Sequence, residues 1–83
     1  ALHKAAMVEG AVSIKHKELI ATGIAIAARC DGCIGAHVAA ALKAGATKQE
    51  LIETIDVAVL MGGGPAVIYG TQALAAVEEL SAE

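Results

Sequence analysis

The sequence predicts an all-α fold, a compact bundle of about four to five helices, and three observations support this prediction. Alanine dominates the 83-residue chain, and Phe and Trp are absent. Alanine is the best helix former, whereas strands favour aromatic and β-branched residues. Apolar residues also recur at helical spacing between recognisable capping signals. A chain of this length forms a single domain, residues 1–83.

The first long helix is expected over residues 13–28, with Ser13 as its N-cap. From Leu19 onward the side chains are apolar on almost every side, so we expect neighbouring helices to enclose it. Arg29 and the pair Asp31-Gly32 then break this apolar pattern, and Asp-Gly is a turn signal. Before it, residues 1–10 are expected to form a short helix closed by Gly10.

Each later helix has its own start or stop signal. Gly45 suits the left-handed position that follows a helix, and Thr47 with Glu50 matches the capping box. Pro65 after three glycines ends one helix and is well placed to begin another. The glycines lack the Lys-Ser/Thr pair of a phosphate-binding loop, so we interpret them as a connector. We therefore expect helices at about 30–44, 48–61 and 65–80.

Composition restricts the partners that this chain can have. Apolar residues make up 57% of it, more than a lone domain of this size can bury, so we expect a homo-oligomer. The net charge is −3 and no basic stripe is present, which argues against nucleic acid. No apolar run reaches the roughly 20 residues of a membrane span, and no secretory signal is visible. We therefore expect a cytoplasmic protein. We also expect no cofactor, because no cofactor motif is present.

Both cysteines lie in the run Cys30-Asp31-Gly32-Cys33, and His37 follows one turn later. Two thiols three residues apart can close a disulfide with little backbone movement. A helix N-terminus and the neighbouring Arg29 favour the thiolate of Cys30, the species that attacks in thiol–disulfide exchange. On one helical face, a neutral His37 imidazole can take a proton from a thiol.

Two other interpretations of this motif remain open. A structural zinc site needs four ligands, so Glu18, His16 or His3 would have to complete the set. Alternatively, the cysteines are buried and inert. Glu18 by itself is most simply a solvated residue in the first turns of a helix, although its position beside apolar residues also allows a desolvated, proton-accepting carboxylate.

Glu18-Leu-Ile, Cys30-Asp-Gly-Cys33-Ile-Gly-Ala-His37 and Gly45-Ala-Thr-Lys-Gln-Glu50 together resemble the carboxymuconolactone decarboxylase-like superfamily. The similarity is to its alkylhydroperoxidase D-like branch, in a single-repeat form, and covers about residues 13–75. The resemblance implies an all-α fold that assembles into trimers or hexamers.

The same resemblance implies roles for four residues. Glu18 and His37 match a proton relay, Cys33 matches the thiol that attacks peroxide, and Cys30 matches the thiol that resolves the sulfenic acid as a disulfide. Gly32 departs from alkylhydroperoxidase D proper, which has a histidine there, and this puts high peroxidase activity in doubt.

These observations predict an antioxidant oxidoreductase that reduces hydroperoxides or disulfides through a Cys30–Cys33 cycle. A dithiol protein would be its reductant. One alternative is a binding module that senses metal or redox state through Cys30, Cys33 and His37. Another is a decarboxylase-like lyase, although that branch generally lacks the cysteine pair, and a third is a purely structural role.

Overall fold

The computed structural model describes residues 1–81, which form five helices. Their bounds are α1 Leu2–Ala6, α2 Ile14–Ala27, α3 Asp31–Lys43, α4 Lys48–Gly62 and α5 Gly64–Ser81. No strand occurs within these residues, so the prediction of an all-α fold is confirmed. No helix within them is long and apolar enough to cross a membrane.

Helix α2 is central, because α3, α4 and α5 all pack against it. Helices α4 and α5 also pack on each other, and α5 contacts α3. The core consists of small and branched aliphatic side chains, of which Ile26, Val38, Leu51 and Val77 are fully buried. Alanines fill much of the remaining interior, which lets these helices approach closely, and Tyr69 packs against the core from its edge.

The capping signals that were read from the sequence are present in the structure. Ser13 accepts the backbone N–H of His16 at the start of α2. Thr47 and Glu50 form a complete capping box at the start of α4. Gly45 adopts a φ of 101° directly after α3, the left-handed conformation that glycine reaches at low cost. These predictions are confirmed.

One predicted helix end is wrong, and one predicted turn is made by a different residue. The first helix ends at Ala6 rather than at Gly10, and Gly10 does not adopt a positive φ. Asp31 and Gly32 lie inside the first turn of α3, so they do not make the turn between helices. That turn is made by Arg29, whose φ is 60°.

The glycine run is a shorter connector than expected. Gly62 is the last residue of α4 and Gly64 the first of α5, so Gly63 alone links the two helices. A Cβ atom on Gly62 would lie 2.7 Å from the Cβ of Ala66 and 3.4 Å from the Cα of Ala27. Glycine is required there because α2, α4 and α5 converge on this point.

The expectation that neighbours enclose α2 is only half met within one chain. Its inner face is buried, but Ile20 and Ile24 remain more than half exposed. Together with the outer face of α4 they line an open groove of about 620 Å³ that is almost entirely apolar. The three neighbouring helices are too few to surround α2 on every side.

Candidate redox site

Cys30 and Cys33 form a disulfide bond at the start of α3. Their Cα atoms are 5.3 Å apart, within the usual range for a bridged pair. Cys30 is the N-cap residue and lies just outside the helix, while Cys33 is the third helical residue. The structure thus brings together the two cysteines that the sequence singled out.

The position of Cys30 is determined by two helix ends at once. Its N–H donates to the carbonyl of Ala25 at 2.9 Å, and the N–H of Arg29 donates to Ile26 at 3.1 Å. This pair of bonds is the Schellman pattern that closes α2. The carbonyl of Cys30 then accepts the N–H groups of Cys33 and Ile34, which begins α3.

No side chain caps the start of α3 while the disulfide is closed. The first N–H groups of a helix carry partial positive charge and favour an anion placed beside them. Both sulfur-bearing residues lie at this end, and both are half-buried. These N–H groups would stabilise a thiolate at this end once the bond is reduced.

Glu18 is buried, with only 7% of its side chain exposed, and its Oε1 lies 2.7 Å from Nδ1 of His37. A buried carboxylate is costly unless it is paired and hydrogen-bonded, and His37 supplies that partner. The simplest interpretation from sequence, a solvated Glu18, is wrong, because α3 packs over this part of α2.

The Glu18 contact assigns the proton on the His37 ring. When Glu18 is ionised its oxygens only accept hydrogen bonds, so Nδ1–H donates and the lone pair of a neutral His37 imidazole lies on Nε2. That nitrogen is the one able to take up a proton. His37 lies four residues after Cys33 in α3, so the two share a helical face. With the disulfide closed, no hydrogen bond joins His37 to either sulfur within residues 1–81.

The other two histidines differ in their distance from the site. The imidazole of His3 stacks on that of His37, with ring centroids 6.5 Å apart. The Nδ1 of His16 instead lies 2.7 Å from the hydroxyl oxygen of Ser13, and His16 lines the apolar groove. Of the three residues that could have completed a zinc site, His3 and Glu18 lie beside His37, whereas His16 does not.

A metal centre has no supporting geometry in the described part of the chain. Within residues 1–81 no three side chains of the His, Cys, Asp and Glu types come close enough together to hold one ion. Both cysteine sulfurs are already bonded to each other.

The chain is similar to proteins of known sequence over almost its whole length. It is 39% identical over 79 residues to an uncharacterised protein of Cupriavidus necator, covering 95% of this chain and 70% of that protein. It is 38% identical over 80 residues to an uncharacterised protein of the cox locus of Paracoccus denitrificans, covering 96% and 72%.

Two solved structures share the fold, each with a TM-score of 0.92. One is an apo carboxymuconolactone decarboxylase family protein of Legionella pneumophila, 50% identical, covering 96% of this chain and 71% of that one. The other, from Thermotoga maritima, is a family member for which a part in the antioxidative response has been suggested; it is 31% identical, with 98% and 69% covered.

The model of the carboxymuconolactone decarboxylase family matches residues 1–79. This match spans all but the last few residues of the chain, and it includes the disulfide and the Glu18–His37 pair. The chain belongs to the carboxymuconolactone decarboxylase family.

Proposed function

We propose that this protein is a thiol-dependent oxidoreductase that cycles Cys30 and Cys33 between dithiol and disulfide. The observation that carries the proposal is the disulfide at the N-terminus of α3, followed one helical turn later by a histidine held by a buried carboxylate. A disulfide that closes so short a loop restricts the unfolded chain little, so stabilisation alone is a weak reason for it.

With a hydroperoxide as oxidant, the cycle has three steps: oxidation of one thiol, disulfide formation and reduction. The Cys33 thiolate attacks the outer peroxide oxygen, the O–O bond breaks, and the alkoxide leaves as an alcohol after taking one proton. The sulfenic acid on Cys33 then condenses with the Cys30 thiol, forming the disulfide and releasing water. A dithiol reductant restores both thiols and is itself oxidised to a disulfide. Cys33 is given the attacking role on the family resemblance.

The Glu18–His37 pair has a defined part in these steps. His37 Nε2 takes the proton of the attacking thiol and returns it to the leaving alkoxide, as a general base and then a general acid. Glu18 holds the ring through Nδ1 and stabilises the imidazolium that forms in between.

The order of the two cysteines can be tested with single substitutions. Cys30→Ser is expected to react once with cumene hydroperoxide and to accumulate a sulfenic acid that dimedone traps. Cys33→Ser is expected to be oxidised far more slowly, while wild type loses two thiols per hydroperoxide. Stopped-flow oxidation rates, with thermal melting as a folding control, provide the measurement. Oxidation of Cys33→Ser at the wild-type rate would refute the mechanism.

The same reduced protein distinguishes a peroxidase from a disulfide reductase. If a small aromatic disulfide oxidises the dithiol much faster than any hydroperoxide does, the natural oxidant is a disulfide. Gly32 in the motif leaves this comparison open, since the histidine of alkylhydroperoxidase D is missing there. Thiols that react with neither oxidant would overturn the redox proposal.

We also propose that the chain assembles with copies of itself, as a trimer or hexamer. Large apolar side chains are exposed side by side on the outer faces of α2 and α4: Ile20, Ile24, Val57, Leu60 and Met61. Patches of this kind on a soluble domain mark interaction surfaces. Light scattering should give a mass of several chains, and Ile24→Glu should lower it. Leu2→Glu, an exposed residue on α1, is the matched control.

A further inference from the structure

Helix α1 has no buried residue, yet it is fastened to α2 at its carboxyl end. The ammonium group of Lys17 donates to the carbonyl of Ala6 at 2.8 Å and to that of Val8 at 2.7 Å. The last carbonyls of a helix lack partners within it, and a lysine side chain is suited to satisfy them. Lys17 therefore sets where α1 lies.

The other end of α1 carries His3 onto the redox site. Its ring stacks on that of His37, with an angle of 26° between the planes. The centroid separation of 6.5 Å falls within the range of aromatic pairs. His37 thus has two neighbours, Glu18 at its Nδ1 edge and the His3 ring beside its own in a loosely stacked arrangement.

We propose that His3 is a positioning residue for His37, and that α1 is a strap which holds it there. One hydrogen bond through Nδ1 leaves the imidazole free to tilt about that contact, whereas a stacked neighbour restricts the tilt. Fixing the ring keeps Nε2 aimed in one direction, which matters because proton transfer depends on close geometric alignment. The role of this stack in proton transfer rests on the proposed function, whereas the stack itself is a feature of the structure.

The alternative is that His3 supplies a proton, in place of the histidine missing at Gly32. The two possibilities separate on substitution. His3→Phe keeps an aromatic ring for stacking and removes the titratable group, whereas His3→Ala removes both. Lys17→Met releases the strap without changing any residue of the site. Lys4→Ala, on the same helix and exposed, is the matched control.

The first measurement is the NMR spectrum of the His37 ring in the disulfide-bonded protein. His3→Ala and Lys17→Met are expected to shift the His37 ring-proton and ring-nitrogen signals in the same direction. His3→Phe should keep a ring-current shift, and Lys4→Ala should leave the spectrum unchanged. This readout needs no turnover, so it stands even if the redox proposal fails. His37 signals that are unchanged in His3→Ala would refute the positioning role.

The second measurement is the single-turnover rate of thiol oxidation by cumene hydroperoxide. We expect a loss of about tenfold in His3→Ala and Lys17→Met, less than the roughly 10²-fold that a displacement of 1 Å can cause. His3→Phe and Lys4→Ala should react within about twofold of wild type. If His3→Phe is as slow as His3→Ala, then His3 acts through its proton and the proposal is wrong. If the thiols of the wild-type protein do not react with cumene hydroperoxide, the proposed function is contradicted, but the contact between His3 and His37 is not.

Discussion

The carboxylate of Glu18 lies 2.7 Å from Nδ1 of His37, a contact that joins α2 to α3 across 19 residues of sequence. It orients an imidazole that lies one helical turn after Cys33, a member of the disulfide. Because Glu18 is buried, the pair is poorly screened by solvent, so its loss should affect both the ring and its chemistry.

The Glu18 carboxylate should therefore be needed for the oxidation step. Glu18→Gln keeps the size of the side chain but removes the charge that stabilises imidazolium, so we expect the rate of thiol oxidation to fall by about 10²-fold. Stopped-flow kinetics on the reduced protein test this. Glu53→Gln is the control, because Glu53 is an exposed residue on α4 that accepts a hydrogen bond from Gln49. Equal rates in wild type and Glu18→Gln would exclude the relay.

Acid should weaken the salt bridge between Lys15, at the start of α2, and Glu50, at the start of α4. The backbone N–H of Thr47 and then the Lys15 ammonium, 3.0 Å away, hold the pKa of Glu50 below its ordinary value of 4.5. A pKa that is lower in the folded state stabilises the fold above the ordinary carboxyl pKa, and this contribution disappears as pH falls through the folded value.

Glu50→Gln should accordingly lower the melting temperature at neutral pH, with a difference from wild type that shrinks under acid. Thermal melts from pH 7 to pH 2 provide the measurement, and Glu79→Gln on the exposed surface of α5 is the control. A difference that stays constant over this range would contradict the assignment.

Two glycines in helices should respond in opposite directions to alanine. Gly62→Ala places a methyl group against Ala66 and Ala27, so we expect a loss of about 1–3 kcal/mol from overpacking. Gly35 is exposed in α3 with open space around it, so Gly35→Ala should raise the free energy of unfolding by about 0.5–1 kcal/mol. Denaturant titrations measure both, and stabilisation by Gly62→Ala would show that the three helices do not meet so closely.

Arg29 should be replaceable by glycine with a gain in stability. Its φ of 60° is a conformation that costs an L-residue about 1–2 kcal/mol, and glycine avoids that cost. Arg29→Gly is thus expected to unfold at higher denaturant concentration, while Gly45→Ala, at the equivalent position after α3, unfolds at lower concentration. If both variants lose stability, contacts of the Arg29 side chain outweigh its backbone strain.

Local signals account for what could be predicted of the fold. The caps at Ser13 and Thr47 and the left-handed Gly45 are properties of a few neighbouring residues, so they are readable from sequence. The predicted end of α2 at residue 28 agrees with the observed Ala27, but the turn after it is made by Arg29, which carries no signal for a left-handed conformation, and not by Asp31-Gly32. The end of α1 was misplaced because Lys17, 11 residues after Ala6, caps it.

By itself, the sequence determined the helical fold and the cysteine pair, because alanine content, capping residues and the spacing of Cys30 and Cys33 act over one or two turns. Only the tertiary structure decided that Glu18 is buried against His37 and that the ring of His3 lies beside the His37 ring. These contacts join α1, α2 and α3, and they depend on how the helices pack. No run of neighbouring residues encodes a distance between two helices.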